Sequence, residues 1–438
     1  MFMGNKVVLP ASKSLSNRVL SFGLVTKLDL SNVLQSEDTE VMLAALVRLG
    51  AKVTKKSLGI NMDVVVIPPD LSDLKAKFEL NLGNAGTATR FLLAMLALGS
   101  FTFQEILFDG VERMRERPIA DLVDVLVELG ARIEYLAKPG FLPLKVYPRQ
   151  VDLGHKLKQQ IRVKQEVSSQ YLSGLLLALA VLPSEVEIFR EQMRVSDTYI
   201  ELTVALLERL GVDVDVCELS GTLKVRGGHG LKPIDYVVEP DWSAASYWVL
   251  RSLIMTMPIN LVGLDFASKQ GDRKFAELLV DSGLLNVVAE AGSLVFRPVS
   301  DRPDWDKLPA QIDCLDFPDA SMTLMALLAF CPKRVELIGL GTLKYKECDR
   351  IEAMATELRK FGVLVETTDS TMSIIGRDLP HFQNLEPLVL ATYGDHRMAM
   401  SLAIFRLLNE GVDFDAPSVC QKTYPSFWND YGGLNSRF

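Results

Sequence analysis

The sequence lacks the residue patterns that metal sites, disulfide frameworks and membrane spans require. Its five cysteines are scattered without a CxxC pair, and its four histidines are isolated along 438 residues. An odd number of widely spaced cysteines is typical of a chain kept reduced, so we expect a cytoplasmic protein without disulfides or a bound metal. The longest apolar run, near residues 172–182, is too short for a bilayer, and no secretory signal pattern precedes it. We therefore expect no membrane association.

Net positive charge is also missing. The formal net charge is −8, which argues against a general nucleic-acid binder. Any anion-binding site must therefore be formed by a local cluster of cations. Apolar residues make up 48% of the chain and charged residues 23%, as in globular proteins. At this length we expect two or three domains with ample core.

What the sequence does contain is a repeat. Mostly apolar helices with polar first residues are predicted at a spacing of about 77 residues. They begin at Ser12, Gly86, Ser168, Asp241, Asp319 and Asp395. A second, amphipathic helix series alternates with them, and each of its members ends at a glycine, as helices commonly do. These glycines are Gly50, Gly130, Gly211, Gly283 and Gly362.

This repeat predicts six α/β units, divided into two domains of three, with a boundary near residues 227–230. A helix that is apolar on every side is a buried helix. If the buried helices of a domain run parallel, their N-termini meet on one face and concentrate positive potential there. The sequence therefore predicts a small ligand that carries several negative charges.

Four segments of the first half carry donors suited to such a ligand. Residues 10–18 place hydroxyls, an ammonium and a guanidinium at a helix start. Residues 83–90 form a glycine-rich turn that lacks the GK[ST] ending of an ATP site and the spacing of an NAD site. Residues 112–118 place three arginines before a proline-started helix, and 168–170 offer neutral donors. The alternatives for each are an ordinary capped helix, a plain turn or a solvated surface.

The second half adds carboxylates to further cations. Asp319 is predicted to cap a helix, residues 346–350 mix both charges, and residues 395–397 open the last apolar helix. Each segment alone is equally typical of a structural cap or a solvated charge run. Together, the segments of both halves place seven cations near repeat boundaries, and the carboxylates of Asp319 and Glu347 lie in the same segments. These cations are Lys13, Arg18, Arg117, Lys346, Arg350, Arg397 and Lys422.

In this combination the sequence resembles the 5-enolpyruvylshikimate-3-phosphate synthase family. The matching segments follow the family's order along the whole chain: 10–18, 83–90, 113–119, 167–171, 241–247, 318–323, 346–350, 395–400 and 420–425. The resemblance implies an α/β fold of two domains, each made of three βαβαββ units as an inside-out barrel, with helix N-termini facing an interdomain cleft. It sets the domains at 17–236 and at 1–16 with 237–438, so that the N-terminal strand completes the second domain.

The resemblance also implies two anionic substrates, shikimate 3-phosphate and phosphoenolpyruvate. The residues it assigns to shikimate 3-phosphate are Lys13, Ser14, Arg18, Ser168, Ser169, Gln170, Ser196, Asp319 and Lys346. Those it assigns to phosphoenolpyruvate are Lys13, Gly86, Arg117, Gln170, Arg350, Arg397 and Lys422.

The reaction implied by the resemblance needs two opposite proton transfers. Asp319 is the candidate base for the 5-hydroxyl of shikimate 3-phosphate, and Glu347 is the candidate acid at C3 of phosphoenolpyruvate. Lys13 and Lys422 would neutralise charge on the phosphate. No metal or organic cofactor is expected, and the protein is expected to be a monomer.

Two alternatives remain open. The related enzyme that transfers enolpyruvyl to UDP-N-acetylglucosamine uses a reactive cysteine on a loop of its first domain, whereas Cys217 here lies near a predicted strand. A non-catalytic protein that binds phosphorylated metabolites is the second alternative. It would need neither Asp319 nor Glu347, since binding anions does not require carboxylates.

Overall fold

The computed structural model describes residues 5–70, 76–149, 159–163, 169–190, 197–217, 220–228, 230–383 and 385–432. The chain divides into two compact units. The N-terminal unit runs from Ser12 to Val238, and the C-terminal unit combines Met1–Ala11 with Glu239–Phe438. The sequence prediction set these boundaries at residues 17 and 236.

Strands and helices alternate along both units. The strands are β1 (Asn5–Val8), β2 (Leu28–Leu34), β3 (Lys52–Ser57), β4 (Asn61–Ile67), β5 (Lys77–Asn81), β6 (Glu105–Asp109), β7 (Arg132–Tyr135), β8 (Leu144–Tyr147), β9 (Gln160–Val163), β10 (Glu185–Arg190), β11 (Asp213–Cys217), β12 (Thr222–Arg226), β13 (Ile234–Val237), β14 (Ile259–Val262), β15 (Leu285–Glu290), β16 (Ser293–Pro298), β17 (Gln311–Asp313), β18 (Arg334–Ile338), β19 (Leu364–Thr367), β20 (Met372–Ile375), β21 (Leu388–Leu390) and β22 (Val412–Phe414). The α-helices are α1 (Lys13–Ser21), α2 (Glu37–Arg48), α3 (Gly86–Leu98), α4 (Glu112–Glu116), α5 (Ala120–Glu128), α6 (Ser169–Ala180), α7 (Asp197–Arg209), α8 (Trp242–Ile254), α9 (Arg273–Asp281), α10 (Ser321–Leu328), α11 (Arg350–Lys360), α12 (Leu379–Gln383), α13 (His396–Leu408) and α14 (Phe427–Tyr431). Short 3-10 helices span Phe22–Leu24, Trp305–Lys307, Gly341–Tyr345 and Pro417–Lys422.

The strands form mixed sheets with one recurring pattern. In the N-terminal unit the strand orders are β13-β2-β4-β3, β5-β6-β8-β7 and β9-β10-β12-β11. In the C-terminal unit they are β1-β14-β16-β15 and β17-β18-β20-β19. The first two strands of each sheet are parallel and the other pairings are antiparallel. The expected α/β class and repeated unit are confirmed by this pattern.

The last repeat differs from the others within the described residues. Its β21 and β22 form a two-stranded parallel sheet, with α13 as the connection between them. A 3-10 helix and the short α14 follow β22, instead of the antiparallel pair seen in the other repeats. The described chain therefore does not form six equivalent βαβαββ units, because the sixth is a βαβ unit.

Two strands complete sheets that lie far from them in the sequence. β1 adds to β14 with Val7 opposite Leu261, although more than half the chain separates them. β13 adds to β2 in the same parallel way, with Tyr236 opposite Leu30. Each added strand pairs an edge whose N–H and C=O groups would otherwise stay open. The chain therefore passes between the two units twice.

The apolar helices are the cores of the units, as their composition predicts. Every residue of α3 and of α10 is buried, and α13 is buried from His396 to Phe405. Such helices connect parallel strands, which need a crossover of this kind. In the part of the chain that the structure describes, none of the helices is long and apolar enough to cross a membrane.

Most predicted helix starts are confirmed. The Ser12 and Asp241 side chains cap α1 and α8, each by accepting a hydrogen bond from the N–H three residues on. α3 begins at Gly86, as predicted. The predicted start at Ser168 lies outside the described residues, and α6 is described from Ser169. The predicted start at Asp319 is wrong, because the N-cap residue of α10 is Ala320.

Candidate active site

Arg350 is the centre of a buried cluster of charges in the C-terminal unit. It is the first residue of α11, directly after the capping residue Asp349. Its Nε lies 2.7 Å from Oδ2 of Asp395, and its Nη1 lies 2.8 Å from Oδ1 of Asp319. Its Nη2 lies 2.9 Å from Oε2 of Glu347. One guanidinium therefore binds three carboxylates that come from three separate segments.

The carboxylates keep this guanidinium charged. Burial alone lowers the pKa of Arg350, because water no longer solvates its positive charge. The negative charges of Asp395, Glu347 and Asp319 outweigh burial, so the pKa lies above its ordinary value. Arg350 is thus a permanent cation that fixes the position of each acid around it.

Three more cations surround the two acids that the sequence singled out. Asp319 receives Nη2 of Arg397 at 2.9 Å on Oδ2, and Nζ of Lys346 at 3.6 Å on Oδ1. Glu347 receives Nζ of Lys422 at 3.1 Å on Oε1. The cluster therefore brings together all six site residues predicted for the second half of the chain.

The beginnings of three buried helices meet at this cluster. The Ser246 hydroxyl of α8 lies 2.7 Å from that of Thr323 on α10. The Arg397 side chain of α13 reaches Asp319, just before α10, and its Nη1 donates to the Tyr247 hydroxyl of α8 at 3.3 Å. Unpaired N–H groups at helix starts carry partial positive charge. The local potential therefore favours anions more than the ion pairs alone would.

Asp319 does not cap the helix that follows it, contrary to the sequence prediction. The N-cap residue of α10 is Ala320, whose side chain has no hydrogen-bonding atom. Asp319 stands one residue earlier, where Oδ1 binds Arg350 and Oδ2 binds Arg397. Asp395, by contrast, caps α13 by accepting the Arg397 N–H at 2.8 Å.

In the N-terminal unit, Gly86 lies against two arginine side chains. A Cβ on Gly86 would lie 2.7 Å from Nη2 of Arg117 and 2.7 Å from Nη1 of Arg90. Arg117 donates from Nη1 to Oδ1 of Asn84 at 3.2 Å, and Arg90 donates from Nη1 to the Gly86 carbonyl at 3.0 Å. A helix start beside two guanidiniums is suited to a phosphate or carboxylate.

The Arg18 side chain forms hydrogen bonds with several segments of the N-terminal unit. Only 2% of its surface is exposed. It donates to the Ser14 carbonyl at 2.8 Å, to Oγ1 of Thr203 at 2.8 Å and to Oγ of Ser173 at 3.1 Å. Burial lowers the pKa of Arg18 to about 10, which still leaves it charged at neutral pH. Its contacts tie α1 to α6 and α7, so it supports the fold whatever else it binds.

The other predicted residues of this unit that the structure describes lie on α1 and α6. Nζ of Lys13 lies 3.3 Å from Oδ2 of Asp38, which the sequence analysis did not single out. Ser169 and Gln170 are the first two residues of α6, and Ser169 is buried. Two predicted residues lie outside the described residues: Ser168 and Ser196.

Sequence reasoning missed Arg90 and Asp395 as parts of the site, although both belong to motifs it quoted. Arg90 donates from Nη2 to the Pro118 carbonyl at 3.2 Å and lies over the Tyr171 ring, 5.5 Å from its centre. The Tyr171 hydroxyl donates to the same carbonyl at 2.5 Å. Only the fold brings these segments together. Within the described ranges, no group of three or more His, Cys, Asp or Glu side chains is arranged to hold a metal ion.

These features define a class: a two-unit α/β protein that gathers cations and carboxylates at the starts of its buried helices. Residues 3–431 match the family described as EPSP synthase (3-phosphoshikimate 1-carboxyvinyltransferase). The chain is 37% identical to the 3-phosphoshikimate 1-carboxyvinyltransferases of Thiobacillus denitrificans and of Cupriavidus necator, over 98% of this chain and 96% of each relative. The chain belongs to the EPSP synthase family.

Solved structures agree with this fold. An EPSP synthase from Acinetobacter baumannii matches with a TM-score of 0.72 at 22% identity, over 98% of this chain and 96% of that one. An enolpyruvyl transferase from Streptomyces tendae matches with a TM-score of 0.73 at 16% identity, over 98% and 94%. At these identities the likeness concerns the fold alone.

Proposed function

We propose that this protein transfers the enolpyruvyl group of phosphoenolpyruvate to the 5-hydroxyl of shikimate 3-phosphate and releases phosphate. This reaction belongs to the biosynthesis of chorismate and the aromatic amino acids. Membership of the EPSP synthase family supports the proposal. So does the chemistry of the charged cluster, which supplies cations for two anionic substrates and two carboxylates for proton transfer.

One observation carries the proposal furthest. Asp319 and Glu347 bind Nη1 and Nη2 of Arg350, which are attached to the same carbon atom. Two carboxylates held on one guanidinium can both reach a single reacting centre. A protein that only bound anions would gain nothing from acids at this place, because they repel the ligand.

The substrate contacts are part of the same proposal. We assign to shikimate 3-phosphate the side chains that the family resemblance implies: Lys13, Ser14, Arg18, Ser168, Ser169, Gln170, Ser196, Asp319 and Lys346. We assign to phosphoenolpyruvate the positions Lys13, Gly86, Arg117, Gln170, Arg350, Arg397 and Lys422. Planar guanidiniums suit the carboxylate and phosphate oxygens of this smaller substrate.

The reaction then proceeds by addition and elimination. Asp319 takes the proton of the 5-hydroxyl while the hydroxyl oxygen attacks C2 of phosphoenolpyruvate. At the same time Glu347 gives a proton to C3. This step forms a tetrahedral intermediate at C2. In the second step the bond between C2 and the phosphate oxygen breaks, and Glu347 takes a proton back from C3, which restores the double bond. Lys13 and Lys422 stabilise the charge on the departing phosphate.

The proposal predicts which substrates the protein requires. We expect phosphate release when both shikimate 3-phosphate and phosphoenolpyruvate are present, and none above background with either alone. A phosphate assay on the purified chain measures this directly. Release that depends on UDP-N-acetylglucosamine instead would favour the first alternative enzyme. Tight binding of both substrates without any phosphate release would favour the non-catalytic alternative.

The position of the cysteines bears on the first alternative. Cys217 is the only cysteine between residues 12 and 238. It is the last residue of β11 and pairs with Thr222 of β12. A cysteine that acts on a substrate needs a cationic surrounding that lowers its pKa. A position in a strand of the sheet offers little support for such a role.

Replacing Gly86 with alanine should weaken phosphoenolpyruvate binding. The added methyl group would press on the guanidiniums of Arg117 and Arg90, so both must move away from the helix start. Such overpacking costs about 1–3 kcal/mol, which corresponds to a KM for phosphoenolpyruvate raised about 5- to 150-fold. Steady-state kinetics at saturating shikimate 3-phosphate measure this KM. A matched control is Gly341→Ala, since a Cβ there would meet only Ser370, at an ordinary contact distance of 3.6 Å; an unchanged KM in Gly86→Ala would contradict the assignment.

We further propose that the protein acts as a monomer in the cytoplasm. The five cysteines are scattered and odd in number, as is typical of proteins in a reducing compartment. Light scattering coupled to size-exclusion chromatography tests the first point, with a mass near the 48.6 kDa of one chain expected.

A further inference from the structure

Asp272 is a buried acid that lies next to Asp319 and has no part in the reaction described above. It stands at the N-cap position of α9, but its side chain does not cap that helix. Instead, Oδ1 accepts the Ala320 N–H at 3.2 Å, and Oδ2 accepts a hydrogen bond from the Ser243 hydroxyl. Only 5% of its surface is exposed. Asp272 therefore fixes the peptide directly after Asp319 to the start of α8.

The charges around Asp272 come from three neighbouring elements. Asp241 faces it from the start of α8, Asp319 from the segment before α10, and Arg397 from α13. Burial and then the charge of Asp319 raise the pKa of Asp272 from its ordinary value of 3.8 to about 6, against the opposite effect of Arg397. At neutral pH, Asp272 is therefore charged, and it repels the charge on Asp319.

We propose that Asp272 is a positioning residue for Asp319, which it fixes through the Ala320 peptide and keeps basic through its negative charge. The inference rests on the proposed function, in which Asp319 removes the hydroxyl proton. Three cations surround Asp319, and each of them stabilises its ionised form and weakens it as a base. A second carboxylate nearby has the opposite effect and restores part of that basicity.

Asp272→Asn separates the charge of this residue from its geometry. The amide oxygen can still accept the Ala320 N–H, and the amide nitrogen can donate to the Ser243 hydroxyl. The variant therefore keeps both links to the neighbouring segments and loses only the negative charge. Ser243→Ala is the matched second variant, since it removes one link and leaves both carboxylates in place.

The pH dependence of kcat distinguishes these roles. In the wild type, kcat should fall about 3- to 10-fold as Asp272 gains a proton near pH 6 and its charge no longer acts on Asp319. In Asp272→Asn we expect this acid limb to move to lower pH, where Asp319 itself is protonated, and kcat at neutral pH to be about 3- to 10-fold lower than in the wild type. In Ser243→Ala we expect the limb to stay near its wild-type position. An acid limb that does not move in Asp272→Asn overturns the proposal, as does a limb that moves equally far in both variants.

Stability gives a readout that does not depend on turnover. Since folding raises the pKa of Asp272, its contribution to stability is complete below about pH 4 and is lost as the pH rises through about 6. The asparagine does not titrate, so the Tm of Asp272→Asn should rise relative to the wild-type Tm as the pH rises from about 4 to about 7. A constant Tm difference would mean that folding leaves the pKa of Asp272 unchanged, which would overturn the repulsion between the two acids. If the wild-type chain releases no phosphate, the proposed function fails and this stability test still stands.

Discussion

Replacing Asp319 with asparagine is expected to lower kcat by about 10²- to 10⁴-fold, the usual contribution of a general base. The amide oxygen can still accept from Arg350, but the amide cannot take a proton from the substrate hydroxyl. The Nδ2 group of the asparagine would take the place of Oδ2 and would face the Arg397 guanidinium, which lies 2.9 Å from Oδ2 of Asp319 in the wild type. We expect kcat and kcat/KM to fall together, because the missing interaction belongs to the transition state.

Asp316→Asn is the matched control for this prediction. Asp316 lies three residues earlier, is more exposed and pairs with Lys274. Its replacement should leave kcat nearly unchanged. A phosphate-release rate in Asp319→Asn close to that of wild type, with an intact fold by circular dichroism, would remove Asp319 from the mechanism.

Arg350→Met is expected to have the largest effect on stability. It leaves three carboxylates of one buried cluster without their common cation, and the Arg350 side chain is only 1% exposed. Removing one partner of a buried ion pair costs about 3–5 kcal/mol, compared with a typical total stability of about 5–15 kcal/mol. We expect a correspondingly large fall in the urea midpoint of unfolding, measured by a probe that reports on the C-terminal unit.

An exposed ion pair provides the comparison. Nη2 of Arg334 lies 2.6 Å from Oε2 of Glu366, with 55% and 74% of the two side chains exposed. Exposed pairs contribute about 0–1 kcal/mol, so Arg334→Met should shift the midpoint little. If Arg350→Met shifts it no further than Arg334→Met does, the carboxylates are not held as we describe.

The sequence predicted well what depends on near neighbours. Ser12 and Asp241 cap the helices that were expected to follow them, because each acts on an N–H three residues away. Gly86 begins α3 as expected, since a glycine-rich turn and an apolar run are both local signals. The apolar helices were correctly placed in the core because hydrophobicity on every side leaves no alternative.

What depends on distant residues was harder to predict. Asp319 has a capping side chain and follows a proline, so local preference places a helix start there. Ion pairs with Arg350 and Arg397, which come much later in the chain, override that preference. The sequence did not indicate a role for Asp272, because its contacts come from α8 and from the residue before α10, which only the fold brings to the start of α9. The addition of β1 to β14 followed from the family resemblance and not from the repeat.

Deuterium incorporation at C3 tests most directly whether Glu347 and Asp319 act together on one substrate pair held at Arg350. With both substrates in deuterated water, the wild-type chain should place solvent deuterium at C3 of the enolpyruvyl product, because the proton added there comes from an exchangeable acid. Glu347→Gln should lose deuterium incorporation and phosphate release together, while still binding both substrates. Deuterium incorporation at the wild-type rate in Glu347→Gln would contradict the account.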